Sequence, residues 1–156
     1  KLRPYIRKFQ SQPVTDLVNG NLCLSLGYSG DMTQAQRTSD SAGKQTRFQY
    51  RVPREGTTVW MDTMAIPVDA KHPEYAYEFI NFVMRPENMA AISNFTGYPT
   101  SNAKARPNVD EAMRNNPDIY LDEATYARLI PGKDIPQADM RARMRTWTKF
   151  KTATAQ

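Results

Sequence analysis

Between Gly20 and Gly30 runs a nearly continuous apolar stretch, Asn21 to Tyr28, with Leu22, Cys23, Leu24 and Leu26 in sequence. A run of this length bounded by glycines predicts a strand buried on both faces of its sheet. Such a strand needs helices packed above and below, and the flanking text supplies them. Pro13 to Gly20 reads as a short helix with proline near its start and glycine at its stop. Ser29-Gly30-Asp31 turns into a second helix to about Arg37, before a polar loop from Ser39 to Gln45.

Further along, Phe48–Val52 and Thr58–Ile66 are predicted strands around the turn Pro53-Arg54-Glu55-Gly56. A helix opens at Ala70-Lys71-His72-Pro73, with a core stripe of Tyr75, Ala76, Phe79, Ile80 and Val83. Arg85-Pro86 starts another, with Met89, Ile92 and Phe95 expected on its inner face, and Gly97–Thr100 follows as a loop. Short helices are expected at Val109–Asn116 and Asp122–Leu129. After a proline-containing connection, Ile130–Gln137, an amphipathic helix runs from Ala138 to Ala153, anchored by Trp147. Alternating strands and helices indicate an α/β architecture. The strands are too few for a complete doubly wound domain, so a fragment contributing to more than one lobe is expected.

The 156 residues are 40% hydrophobic and 10% aromatic, enough for a packed core. No stretch approaches a membrane-spanning length, which makes a soluble chain the expectation. The chain starts Lys1-Leu2-Arg3-Pro4, without initiator Met or signal segment, and truncation is the expected reason. Cys23 is the only cysteine, read as a buried, inert thiol, so an internal disulfide and a cysteine metal cluster are excluded. The formal charge of +5 raises an anionic partner. However, the basic residues are dispersed except at Arg141, Arg143, Arg145, Lys149 and Lys151, which read as a solvated helix face.

The most informative stretch for chemistry is Val59-Trp60-Met61-Asp62-Thr63-Met64. In a strand Trp60 and Asp62 share one face. A carboxylate within an apolar strand calls for a cation, and the neighbouring indole attracts an ammonium. A structural Asp paired with a nearby Lys or Arg behind a core Trp fits the same spacing. Asp31 lies where a buried strand passes into a helix, a ligand crevice in open α/β sheets, with Tyr28 placed to stack on an alkyl chain. Taken alone, Asp31 is a helix N-cap before it is a ligand. Tyr98, between Gly97 and Pro99, reads alone as a loop aromatic, and His72 as a surface residue at a helix start. The text holds no Gly-rich phosphate loop, His-Glu-x-x-His or G-x-S-x-G, so an enzyme is not expected.

At these residues the chain resembles the periplasmic putrescine/spermidine-binding proteins of bacterial polyamine uptake transporters. The resemblance rests on Asn19-Gly20-Asn21-Leu22-Cys23-Leu24-Ser25-Leu26-Gly27-Tyr28-Ser29-Gly30-Asp31, Pro53-Arg54-Glu55-Gly56, Trp60-Met61-Asp62 and Ala65-Ile66-Pro67. It continues through Phe79-Ile80-Asn81-Phe82, Met84-Arg85-Pro86-Glu87, Gly97-Tyr98-Pro99-Thr100-Ser101-Asn102, Asn116-Pro117-Asp118-Ile119-Tyr120 and Arg145-Thr146-Trp147-Thr148-Lys149. The ordered set, spanning nearly the whole chain, is what makes it specific. It implies a two-lobed type II periplasmic-binding-protein fold, of which this chain covers roughly the C-terminal half, residues 1–156 contributing to both lobes and the N-terminal half lying outside it. It further implies capture of a polyamine, a putrescine-like diamine favoured, and delivery to the permease of an ABC transporter, with no cofactor and no nucleic acid. Trp60 and Asp62 match the element that receives one terminal ammonium. Tyr28 stands where the family usually has Trp, Asp31 matches an Asp of the putrescine-preferring branch, and Tyr98 matches an aromatic lining the site. Gln137 does not align with the family's C-terminal ligand-contacting Gln.

Two other functions compete. The same fold could take iron, thiamine, an opine or a sugar, but one His gives little to an iron site, and Asp31 and Asp62 suit anions poorly. Nucleic-acid binding through the basic terminal helix is the remote alternative, and predicts affinity that falls steeply with salt.

Overall fold

The computed structural model describes residues 2–153. Its regular elements are α1 (Val14–Val18), α2 (Ser29–Ser41), β1 (Thr57–Val59), α3 (Pro73–Val83), α4 (Pro86–Thr96), α5 (Glu111–Arg114), α6 (Glu123–Tyr126), β2 (Leu129–Pro131) and α7 (Gln137–Thr152). Single 3-10 turns occur at Arg3–Tyr5 and Arg106–Asn108. Among the described residues the sheet has two strands, β1 and β2, paired in parallel with Thr57 opposite Leu129 and Val59 opposite Pro131.

Helix boundaries follow local chemistry. Proline enters at the first position of both α3 and α4, where its missing N–H costs no helical hydrogen bond. The left-handed Gly97, at φ 82°, ends α4. At the start of α6, Asp122 accepts a hydrogen bond from the Thr125 N–H at 2.7 Å, and its carboxyl is held below the usual Asp range first by the Thr125 side chain and then by this N–H.

The main core lies between α4 and α5, where Ala90, Ala105, Val109, Met113 and Ile119 are buried and Met89 and Tyr120 pack against them. A smaller packed region forms where α1 meets α2, burying Leu17, Val18, Ala35 and Ser39. Lys44 reaches back to the end of α1, donating to the Val18 carbonyl at 2.7 Å and Asn19 Oδ1 at 3.2 Å. At the far end of the chain, α7 meets the N-terminal segment through Trp147 and Phe150, both packed against Phe9. Arg3 donates from Nε to the Lys151 carbonyl at 3.1 Å in the last turn of α7.

Several expectations are corrected. Asn21–Tyr28 forms no strand, and Leu24 and Leu26 are 89% and 96% exposed. A strand must exchange hydrogen bonds with a neighbour, and among the described residues the only strand pairing is β1 with β2. Cys23 is therefore exposed rather than buried. Phe48–Val52 is likewise irregular, and the second expected strand is reduced to β1. Helix α2 runs through Ser41, into the expected loop. In α3 the stripe is no core: Tyr75 and Phe79 are exposed and Ala76, Ile80 and Val83 half-buried. Ile92 and Phe95 are also exposed, because α4 turns Ala90 and Ser93 inward instead.

Candidate functional site

Tyr28 sits at the N-cap of α2 with extended backbone, and Asp31 occupies the third helical position. The Asp31 carboxylate reaches back and accepts the Tyr28 N–H through Oδ2 at 3.2 Å. Asp31 thus serves the helix start from inside the first turn, not as the N-cap itself. Gly27 leaves room for it: a Cβ there would lie 3.3 Å from Asp31 Oδ2. The half-buried carboxylate stays at the helix N-terminus, a position that favours negative charge.

Trp60 follows directly on β1, and its ring meets Tyr28 edge to face, centroids 4.8 Å apart at 82°. Both rings remain partly exposed. Since β1 ends at Val59, the strand alternation expected to put Trp60 and Asp62 on one face does not extend to them. Asp62 is exposed.

Tyr98, just after α4, packs its ring against Gly30 on the first turn of α2. Its phenol is pushed above the ordinary Tyr value, first by burial and then by the nearby charges of Asp31, Tyr28, Asp62 and Tyr50. Contacts join four of the five expected residues, with Asp31 holding the Tyr28 N–H, Trp60 against the Tyr28 ring and Tyr98 resting on Gly30 beside Asp31, whereas Asp62 is linked to them only through its charge at Tyr98. The arrangement combines two carboxylates with three aromatic rings, a chemistry suited to an organic cation.

Tyr50 is half-buried outside the regular elements. Its own phenol is pushed up by burial, and its charge contributes to the shift at Tyr98. Sequence reading did not single it out; the alternation of Phe48, Tyr50 and Val52 was the available signal. A separate, open depression of about 510 Å³ is lined by Arg47, Arg51, Asn116 and Asp118 among others. It contains none of the five residues, and its guanidiniums are already paired, Arg47 with Asp40 at 2.9 Å and Arg51 with Asp118.

The family profile described as bacterial extracellular solute-binding protein matches residues 2–120. The chain belongs to this family. It is 42% identical over 97% of its length to a putrescine-binding periplasmic protein of Pseudomonas aeruginosa, of which it covers 42%. Against a putrescine-binding periplasmic protein of Escherichia coli it is 39% identical, with 97% of this chain and 41% of the relative covered. The solved spermidine/putrescine ABC transporter substrate-binding protein of Streptococcus pneumoniae superposes with a TM-score of 0.73 at 24% identity, over 90% of this chain and 42% of that one. That likeness carries the fold: the α/β arrangement expected from the sequence is part of a solute-binding-protein fold. The chain spans a little over two-fifths of the length of these relatives.

Proposed function

We propose that this chain is the C-terminal portion of a periplasmic protein that captures a polyamine, a putrescine-like diamine in preference, and hands it to the permease of an ABC transporter. The observation that carries the reading is the contact group of Asp31, Tyr28, Trp60 and Tyr98, in which Asp31 holds the Tyr28 N–H, Trp60 meets the Tyr28 ring and Tyr98 rests on Gly30 beside Asp31. The putrescine binding for which the relatives are named points the same way. The remaining part of the longer protein supplies the facing half of the site, and catalysis has no place in this reading.

In the proposed mode the two carboxylates receive ammonium groups through charge-assisted hydrogen bonds. Trp60, Tyr28 and Tyr98 cover the methylenes and add cation–π attraction of about 0.5–2 kcal/mol per contact, more as water is excluded. Closing of the two lobes removes that water. Slot length then sets preference, since an ammonium buried without a partner is penalised.

Isothermal titration of putrescine, cadaverine, spermidine and spermine into the full-length protein, with and without Asp62→Ala, tests this. Tight binding of one diamine, lost in Asp62→Ala, is the expected result. A folded protein that gives no heat with any of the four would sink the polyamine reading.

A further inference from the structure

Gly30 occupies the second position of α2, and its φ is not among the positive values found at other glycines. The backbone there accepts alanine, and glycine is one of the poorest residues for a helix. What Gly30 provides is space. A Cβ at this position would lie 2.5 Å from the Tyr98 Cζ and 2.8 Å from its Cδ2, inside the ring's van der Waals envelope.

The contact is part of a longer seam. One turn on, Thr33 meets Gly97, where an added Cβ would lie 2.7 Å from the Thr33 Cβ. Gln34 and Arg37 each donate to the Phe95 carbonyl at 3.0 Å, closing the C-terminal end of α4. Positions 30, 33, 34 and 37 recur at helical spacing, so one face of α2 receives the whole end of α4. From the other side, the buried Ser93 hydroxyl donates to the Tyr98 carbonyl. The Tyr98 backbone is therefore held by α4 while its ring rests on α2.

We propose that Gly30 is a positioning residue for ligand binding: its missing side chain lets the Tyr98 ring seat on the first turn of α2 beside Asp31 and so fixes the width of the diamine slot. This rests on the polyamine reading of the site. A methyl group at position 30 displaces the ring outward, because the added Cβ is fixed to the α2 backbone and the side chain is the part that can yield. Gly30 touches no ligand in this scheme and acts only through Tyr98.

The test is a double-mutant cycle in the full-length protein, titrating putrescine into wild type, Gly30→Ala, Tyr98→Ala and the double variant. Gly30→Ala is expected to weaken putrescine about tenfold, the scale of one lost cation–π contact, and to have no further effect once Tyr98 is alanine. An unchanged affinity, or a Gly30→Ala effect that persists undiminished without Tyr98, overturns the proposal. A second readout needs no ligand: the Tyr98 phenol is titrated by carbon-13 NMR of labelled tyrosine, its resonance assigned by its loss in Tyr98→Phe. In wild type it titrates above the ordinary Tyr value, and in Gly30→Ala it moves back toward it. If wild type binds no putrescine, the polyamine reading fails by itself. The phenol titration then still decides whether Gly30 seats Tyr98, and an identical curve in Gly30→Ala rejects it.

Discussion

The core block between α4 and α5 and the extended segments between residues 21 and 66 treat their apolar residues in opposite ways. In the block, Ala90, Val109 and Met113 are shut away from water. In the extended segments Leu24, Leu26, Met61 and Met64 stay in contact with it. The contrast follows from where backbone hydrogen bonds are made. A helix closes its own N–H and C=O groups within a dozen residues, so a short local sequence suffices. A strand closes them only against another strand, and its apolar faces stay open until that neighbour is present. The candidate site bridges both kinds of region: Tyr28, Asp31 and Tyr98 are set on the α2–α4 seam, whereas Trp60 and Asp62 stand beyond the end of a three-residue strand.

The comparison can be broken most directly in the core. Met113→Ala is expected to lower unfolding stability by about 2–3 kcal/mol, since a buried side chain is lost and its space only partly refilled. Urea denaturation followed by circular dichroism measures it, and a negligible loss would mean that the α4–α5 cluster does not hold the fold. Ser93→Ala comes next, at about 1 kcal/mol, because it removes the hydroxyl donor to the Tyr98 carbonyl. If the seam organises the site, the same variant also shifts the Tyr98 phenol titration.

A smaller effect is expected from alkaline pH. The Tyr98 phenol binds its proton more tightly folded than unfolded. Its contribution to stability is thus complete below the ordinary Tyr range and is lost as pH rises through the raised folded value. Tyr50 acts in the same direction through burial. Thermal melts across this range should decline less steeply for Tyr98→Phe, and parallel curves would contradict the burial of the phenol. The smallest effect belongs to the extended region: Leu26→Ser in this chain should change stability by less than about 0.5 kcal/mol, as expected of an exposed side chain. A measurable loss in the full-length protein, against none here, would sharpen the comparison by revealing a strand completed from outside the chain.

Legibility in the sequence followed the same division. The starts of α3 and α4 were readable from Pro73 and Pro86, and the end of α4 from Gly97, because proline and glycine act on their own backbone. The stripe Tyr75–Val83 was equally periodic, yet its burial was misjudged, since periodicity defines a face without supplying what covers it. Among the candidate residues, Trp60 and Asp62 were singled out by their chemistry, although the strand geometry invoked to align them is not present. Tyr50 was passed over because nothing local in the sequence sets its half-buried phenol apart from an aromatic of an ordinary strand.

Order along the chain thus settled the kinds of side chain available and the points where helices begin and stop, since both depend on a few neighbouring residues. Packing alone decided that Tyr98 would rest on Gly30, 68 positions away, and that Ser93 would hold it there. A glycine's value as empty space is invisible until something fills it. Contacts of that kind depend on how α2 and α4 approach one another in three dimensions, and no short stretch of the sequence encodes that approach.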